Sequence, residues 1–91
     1  MKIIRELLLD ASVISPQTLY VPVDAEIADV QMTPAGLKLI IITNPIENNS
    51  QLKTFKICTT DENIYYDTVK YIGSFEATTE KRFVIELIRG E

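Results

Sequence analysis

Breaks recur along this chain at short intervals, and most of the runs between them alternate with the two-residue period of strands. Ser15–Pro16, Pro22, Pro34–Ala35–Gly36, Asn44–Pro45 with Glu47–Ser50, and Gly73 supply the breaks. Proline fixes φ and removes a ladder donor, so each of these prolines belongs at a turn or a strand edge. Leu37–Thr43 (LKLIIIT) is the most apolar and β-branched run, which predicts a central strand covered on both faces. In Lys53–Cys58, Phe55 and Ile57 share one face while Thr54 and Lys56 share the other. In Arg82–Arg89, Phe83, Ile85 and Leu87 line one side, and Glu86 faces away between Val84 and Ile88. Tyr71–Ala77 places Tyr71, Gly73 and Phe75 on one face, where the glycine suits a bulge or a close approach by another backbone or a ligand. Ile27, Ala28, Val30 and Met32 cannot all share a face, so Glu26–Met32 carries a bulge near Ala28–Asp29. Thr18–Val21 reads as a short edge piece ending at Pro22.

Two segments fit other patterns. Ile3, Ile4, Leu7 and Leu8 form a helical stripe opposite Arg5, Glu6 and Asp10, so periodicity alone predicts a helix there. Asp61–Lys70 (DENIYYDTVK) suits a short helix capped by Thr60 or Asp61, or an ordered loop. The Pro34–Gly36 turn and the 44–51 loop both read as hairpin connections. Together the runs predict a single all-β domain over residues 1–91, a compact antiparallel barrel or sandwich of six to seven strands.

Composition narrows the function. With 91 residues, 46% of them apolar, the chain can build a core, but its interior is limited. Part of its apolar surface is therefore expected between subunits of a homo-oligomer. Residues 1–45 carry three basic and five acidic groups, and residues 46–91 carry six and eight. Such unsegregated charge is a poor footprint for duplex nucleic acid, which calls for a basic stripe. It leaves room for a small anionic ligand, which needs only a few local donors. There is no histidine, so the usual base for a nucleophile and the usual zinc ligand are missing. Asp61, Glu62 and Glu47 sit in loops without a catalytic partner, so the expectation is a protein that is not an enzyme and needs no cofactor or metal. Cys58 is the sole cysteine and reads as a reduced, buried thiol. Charges at Lys2, Arg5, Glu6 and Asp10 break any signal-peptide core, and no apolar run is long enough for a membrane span. Asn48–Asn49–Ser50 then reads as a polar loop, and the expected compartment is a reducing cytoplasm.

Three groups of side chains could hold a small nucleotide. Thr59, Thr60 and Asp61, with Glu62 and Asn63, form a turn whose hydroxyls and amides could take phosphate or a base edge, or could satisfy their own backbone. Tyr65, Tyr66 and Tyr71 offer rings for base stacking, or for core and interface packing. Tyr65 and Tyr66 diverge in a strand or a helix, so one of them is expected at the surface. Lys56, Lys81 and Arg82 are the foremost phosphate partners among ordinary solvated charges that also include Lys53 and Lys70. Lys81–Arg82 is the one adjacent basic pair, and arginine offers phosphate a two-pronged fork.

Several anchors also recur in a familiar order. They are a charged–apolar start at Met1–Lys2, Pro22-x-x-Ala25-x-Ile27-x-x-Val30–Gln31, Leu39–Pro45 (LIIITNP), Phe55–Lys56–Ile57 before a threonine turn, Tyr71–Phe75 (YIGSF) and Phe83–Leu87. In this order the chain resembles a widespread family of small, mostly uncharacterised phage and bacterial proteins. The resemblance implies that residues 2–9 form a strand, and it implies a compact β domain without an enzymatic signature. The resemblance implies a family that includes a phage anti-CBASS sponge, a protein that sequesters the cyclic nucleotide signal of a bacterial immune system in the host cytoplasm. Family members often carry a Gly-Thr-Gly-His-like turn where this chain has Cys58–Thr59–Thr60–Asp61, so only Thr59 matches. The implied function is sequestration of a small anionic nucleotide. The competing expectation is an interaction module that grips a host protein through a strand edge.

Overall fold

The computed structural model describes residues 1–90. Seven strands form in order: β1 (Ile3–Leu9), β2 (Gln17–Pro22), β3 (Glu26–Thr33), β4 (Gly36–Thr43), β5 (Ser50–Cys58), β6 (Tyr66–Ala77) and β7 (Glu80–Gly90). They make two sheets, ordered β1-β4-β3 and β2-β5-β7-β6, and every pairing among the described residues is antiparallel. The architecture is the sandwich of the two expected forms, since the sheets do not close into a barrel.

The core lies between the sheets. Leu9, Val30, Leu37, Leu39 and Ile41 come from the three-stranded sheet, and Val21, Phe55, Ile57, Phe75 and Val84 face them from the other. β4 is central, as its composition predicts, but only Leu37, Leu39, Ile41 and Thr43 are buried. Its other face, with Lys38, Ile40 and Ile42, is half-buried because no third layer covers it among the described residues.

β1 is a strand, which corrects the periodicity reading and agrees with the resemblance. IIRELLL satisfies both periods, and so short an isolated helix would be marginal in water. Pairing Leu7 with Leu39 and Leu9 with Leu37 instead gives β1 a complete ladder on β4 and buries Leu9. The strand leaves Ile4 and Leu8 exposed on its outer side. Asp61–Lys70 likewise contains no helix. It begins as a turn with Asp61 in the left-handed region at φ 65°, which halts helical propagation. From Tyr66 it then pairs along the far end of β7.

The Pro34–Ala35 turn closes a tight β3–β4 hairpin, with Thr33 opposite Gly36. The 44–51 connection is not a hairpin, because it carries the chain from β4 in one sheet to β5 in the other. Asp24 secures that crossing: its carboxylate accepts hydrogen bonds from the Thr43 hydroxyl and from the Asn44 N–H at 2.9 Å. These two bonds hold the Asp24 carboxyl below the ordinary carboxylate range.

Both expected irregularities exist. The register of β3 shifts between Ile27 and Asp29, and that of β6 shifts between Tyr71 and Gly73. The two bulges meet where β3 packs against β6. A Cβ at Gly73 would lie 3.0 Å from Val30 Cγ2 and 3.1 Å from Asp29 Oδ1, so glycine permits this approach. The β6 bulge also separates Tyr71 from the face of Gly73 and Phe75, a correction to simple alternation. Tyr71 pairs with Ile85 on the outside of the four-stranded sheet, while Gly73 pairs with Val84 on the inside. Phe83, Ile85 and Leu87 share that outer side, so Glu86 falls on the inner face opposite Phe55. Glu86 is buried there and bonded to Lys53 Nζ at 3.2 Å.

Candidate ligand-binding site

The end of β5 and the start of β7 lie side by side because Cys58 pairs with Phe83. One step further along, the threonines leaving β5 meet the basic pair entering β7. Thr59, Thr60, Glu80, Lys81 and Arg82 line an open concavity of about 520 Å³. Four of the nine sequence-predicted residues therefore converge from two separate segments. Thr59 and Thr60 bring hydroxyls and Arg82 a guanidinium, a donor set suited to an anion, while alternation along β7 turns Lys81 to the opposite, outer side of the strand. Lys81 has no ion-pair partner among the described residues. Arg82 is half-buried and bonded through Nη1 to Glu80 Oε2.

The remaining basic candidate is committed elsewhere. Lys56 Nζ lies 2.6 Å from Glu62 Oε2 and donates to the Ile14 carbonyl at 3.0 Å. The Thr59 N–H donates to the other Glu62 oxygen at 3.1 Å. Glu62 thus closes the turn on itself and uses Lys56 to tie the β5–β6 loop to the β1–β2 loop. This is the self-satisfied form of the turn for Lys56 and the Thr59 amide. Asp61, at the turn's left-handed position, is exposed and does not line the concavity.

Charge makes this tie pH-dependent. The Lys56 hydrogen bond, followed by the Thr59 N–H, lowers the Glu62 carboxyl below its ordinary value. A lowered folded-state pKa contributes stability that is complete above the ordinary glutamate value and is lost as pH falls through the folded value. Thermal midpoints should therefore drop in acid below the usual carboxylate range, and Glu62→Gln should flatten part of that drop. An unchanged pH profile in the variant would show that the Glu62–Lys56 tie contributes nothing to stability.

The three tyrosines divide by environment. Tyr66 packs on Cys58, Ile85 and Leu87, a second apolar cluster on the outer face of the four-stranded sheet. Tyr65 is 71% exposed, in keeping with the expectation that one of the pair reaches the surface. Tyr71 is 59% exposed and rests against Phe83, with ring centroids 6.4 Å apart. Lys81, Phe83 and Ile85 alternate onto the same outer side, so Tyr71 stands on the face that Lys81 enters from one end. Tyr66 is thus a packing residue, whereas Tyr65 and Tyr71 keep free ring surface.

Sequence reasoning missed both carboxylates that hold the basic groups. Glu80 was legible, since residues two apart in a strand share a face and Arg82 follows it at that spacing. Glu62 was not, because its reach to Lys56 depends on how the intervening turn folds. Cys58 is buried as expected, and burial pushes its thiol pKa up, away from nucleophilic use. No cluster of metal-ligating side chains is present among the described residues. No helix is long and apolar enough to cross a membrane among the described residues. Comparison with protein-family models, curated proteins and solved structures finds no match to this chain.

Proposed function

We propose that this protein is a non-catalytic binder that sequesters a small anionic nucleotide. The observation that carries the reading is the concavity where Thr59, Thr60, Lys81 and Arg82 converge. Phosphate oxygens suit its hydroxyls and cations, and the exposed ring of Tyr71 on the adjoining face offers a base a stacking surface. The family resemblance narrows the ligand to a cyclic nucleotide immune signal and the setting to the cytoplasm of a phage-infected bacterium, with the binder acting as a homo-oligomer.

Calorimetry and thermal shift against cyclic di- and trinucleotides test the proposal. At least one should bind, Arg82→Ala should weaken it about tenfold or more, and denaturation should release it unmodified. A flat response across the panel would overturn the ligand class, and recovery of a cleaved product would overturn the non-catalytic assignment.

One observation favours a second reading, an adaptor that pairs with a host protein. β1 is an outer strand of its sheet, and it presents Ile4 at 70% and Leu8 at 56% exposure. An added strand could use its free backbone edge, with those side chains giving selectivity. On this reading a host protein co-purifies, Ile4→Lys releases it, and no nucleotide shifts the melting temperature.

A further inference from the structure

We infer that Glu80 is an internal competitor for the anion site, the group a phosphate must displace from Arg82 to bind. The inference rests on the nucleotide-binding reading above. Two carboxylates hold cations around Thr59, Glu62 on Lys56 and Glu80 on Arg82, but they are not equivalent. The Glu62 side chain is 30% exposed and holds Lys56 Nζ at 2.6 Å, the Thr59 N–H at 3.1 Å and the Thr59 hydroxyl at 3.4 Å. Displacing it would open the turn and leave Lys56 without its countercharge. The Glu80 side chain is 66% exposed, and its sole hydrogen-bond partner among the described residues is Arg82. It also lines the concavity itself, at the mouth of β7.

An exposed ion pair of this kind is weak and exchanges with solvent readily. A phosphate diester carries the same single charge as Glu80 but offers the guanidinium a two-pronged acceptor in the same place, where Glu80 engages through Oε2 alone. Glu80 can therefore swing outward while the strand stays in register. Glu80 offsets the charge of Arg82, whereas Lys81 has no ion-pair partner among the described residues. The arrangement makes occupancy selective, since a lone carboxylate gains little over Glu80, whereas a ligand with two anionic groups can displace Glu80 from Arg82 with one and reach Lys81, on the other side of the strand, with the second.

The test is isothermal titration of wild type, Glu80→Gln, Glu62→Gln and Arg82→Ala with inorganic pyrophosphate and with cyclic di-AMP. Glu80→Gln should bind about two- to fivefold more tightly than wild type, the range that loss of an exposed competing ion pair supports. Glu62→Gln should bind no more tightly than wild type, and Arg82→Ala should lose binding. If wild type binds and Glu80→Gln is equal or weaker, Glu80 contacts the ligand or plays no part, and the competitor role is overturned while the site stands. If Glu62→Gln gives the gain instead, the displaced carboxylate is the other one. If no variant binds either probe, the anion site itself is wrong and the competitor role falls with it.

Discussion

Phe55→Ala is expected to remove about 3–5 kcal/mol of stability, a large part of the total of about 5–14 kcal/mol for a chain of this length. Phe55 has no exposed surface and is the largest fully buried side chain. It lies on β5, one of the two inner strands of its sheet, between Gln17 of β2 and Glu86 of β7. Truncation loses the transfer energy of the ring and leaves a cavity that the surrounding ladders cannot close. It also uncovers space beside Glu86, whose carboxylate is already buried and relies on Lys53. Urea unfolding should show a large fall in midpoint, with the slope near that of wild type. Tyr65→Ala is the control and should cost less than about 0.5 kcal/mol, because that ring is exposed. A loss below about 1 kcal/mol at Phe55 would mean that the core is not packed around it.

The seam between the sheets carries the second large effect. Gly73→Ala should cost about 1 kcal/mol and Gly73→Val about 3 kcal/mol, the range for forcing extra carbons into filled space. The nearest atoms to an added Cβ are Val30 Cγ2 at 3.0 Å, Asp29 Oδ1 at 3.1 Å and the Val30 backbone nitrogen at 3.5 Å. Asp29 Oδ1 cannot simply turn away, because it accepts the Val30 N–H at 2.8 Å. Val30 is buried and part of the core, so it has little room to yield. Valine adds two γ carbons to the same space and must separate β3 from β6. Thermal melts of the two variants should rank alanine above valine. Equal stability of Gly73→Val and wild type would show that the bulges do not set the approach of the sheets.

Much of the fold was legible because strand alternation is a local property. Alternating runs with breaks between them located β2 to β5 and β7. The clash of Ile27, Ala28, Val30 and Met32 located one bulge, and the glycine at position 73 marked the place of the other, though not its separation of Tyr71 from Phe75. The errors arose where one run satisfied two periods. Residues 3–8 carry a helical stripe, and only the presence of β4 as a pairing partner makes them a strand. Asp61–Lys70 failed for a related reason, since the start of β6 is stabilised by β7, about twenty residues away in the chain.

The candidate site was legible in its residue types and not in their grouping. Hydroxyl, aromatic and basic side chains after residue 52 could be picked out individually. The pairing of Cys58 with Phe83 then joined Thr59 and Thr60 to Lys81 and Arg82, and the same geometry gave Lys56 to Glu62 and Tyr66 to a buried cluster. Spacing along the chain carries no information about such cross-strand neighbours.

The sequence by itself determined a largely β chain, most of the places where its strands turn and bulge, and the shared face of Phe55 and Ile57 on β5. These follow from backbone sterics and the two-residue period, which act within a few residues. Only the tertiary structure decided the identity of β1, the crossing from β4 to β5, the inward placement of Glu86 and the division of the cations into held and free. Each of these depends on which distant strand lies alongside, and the packing of the whole core selects that partner.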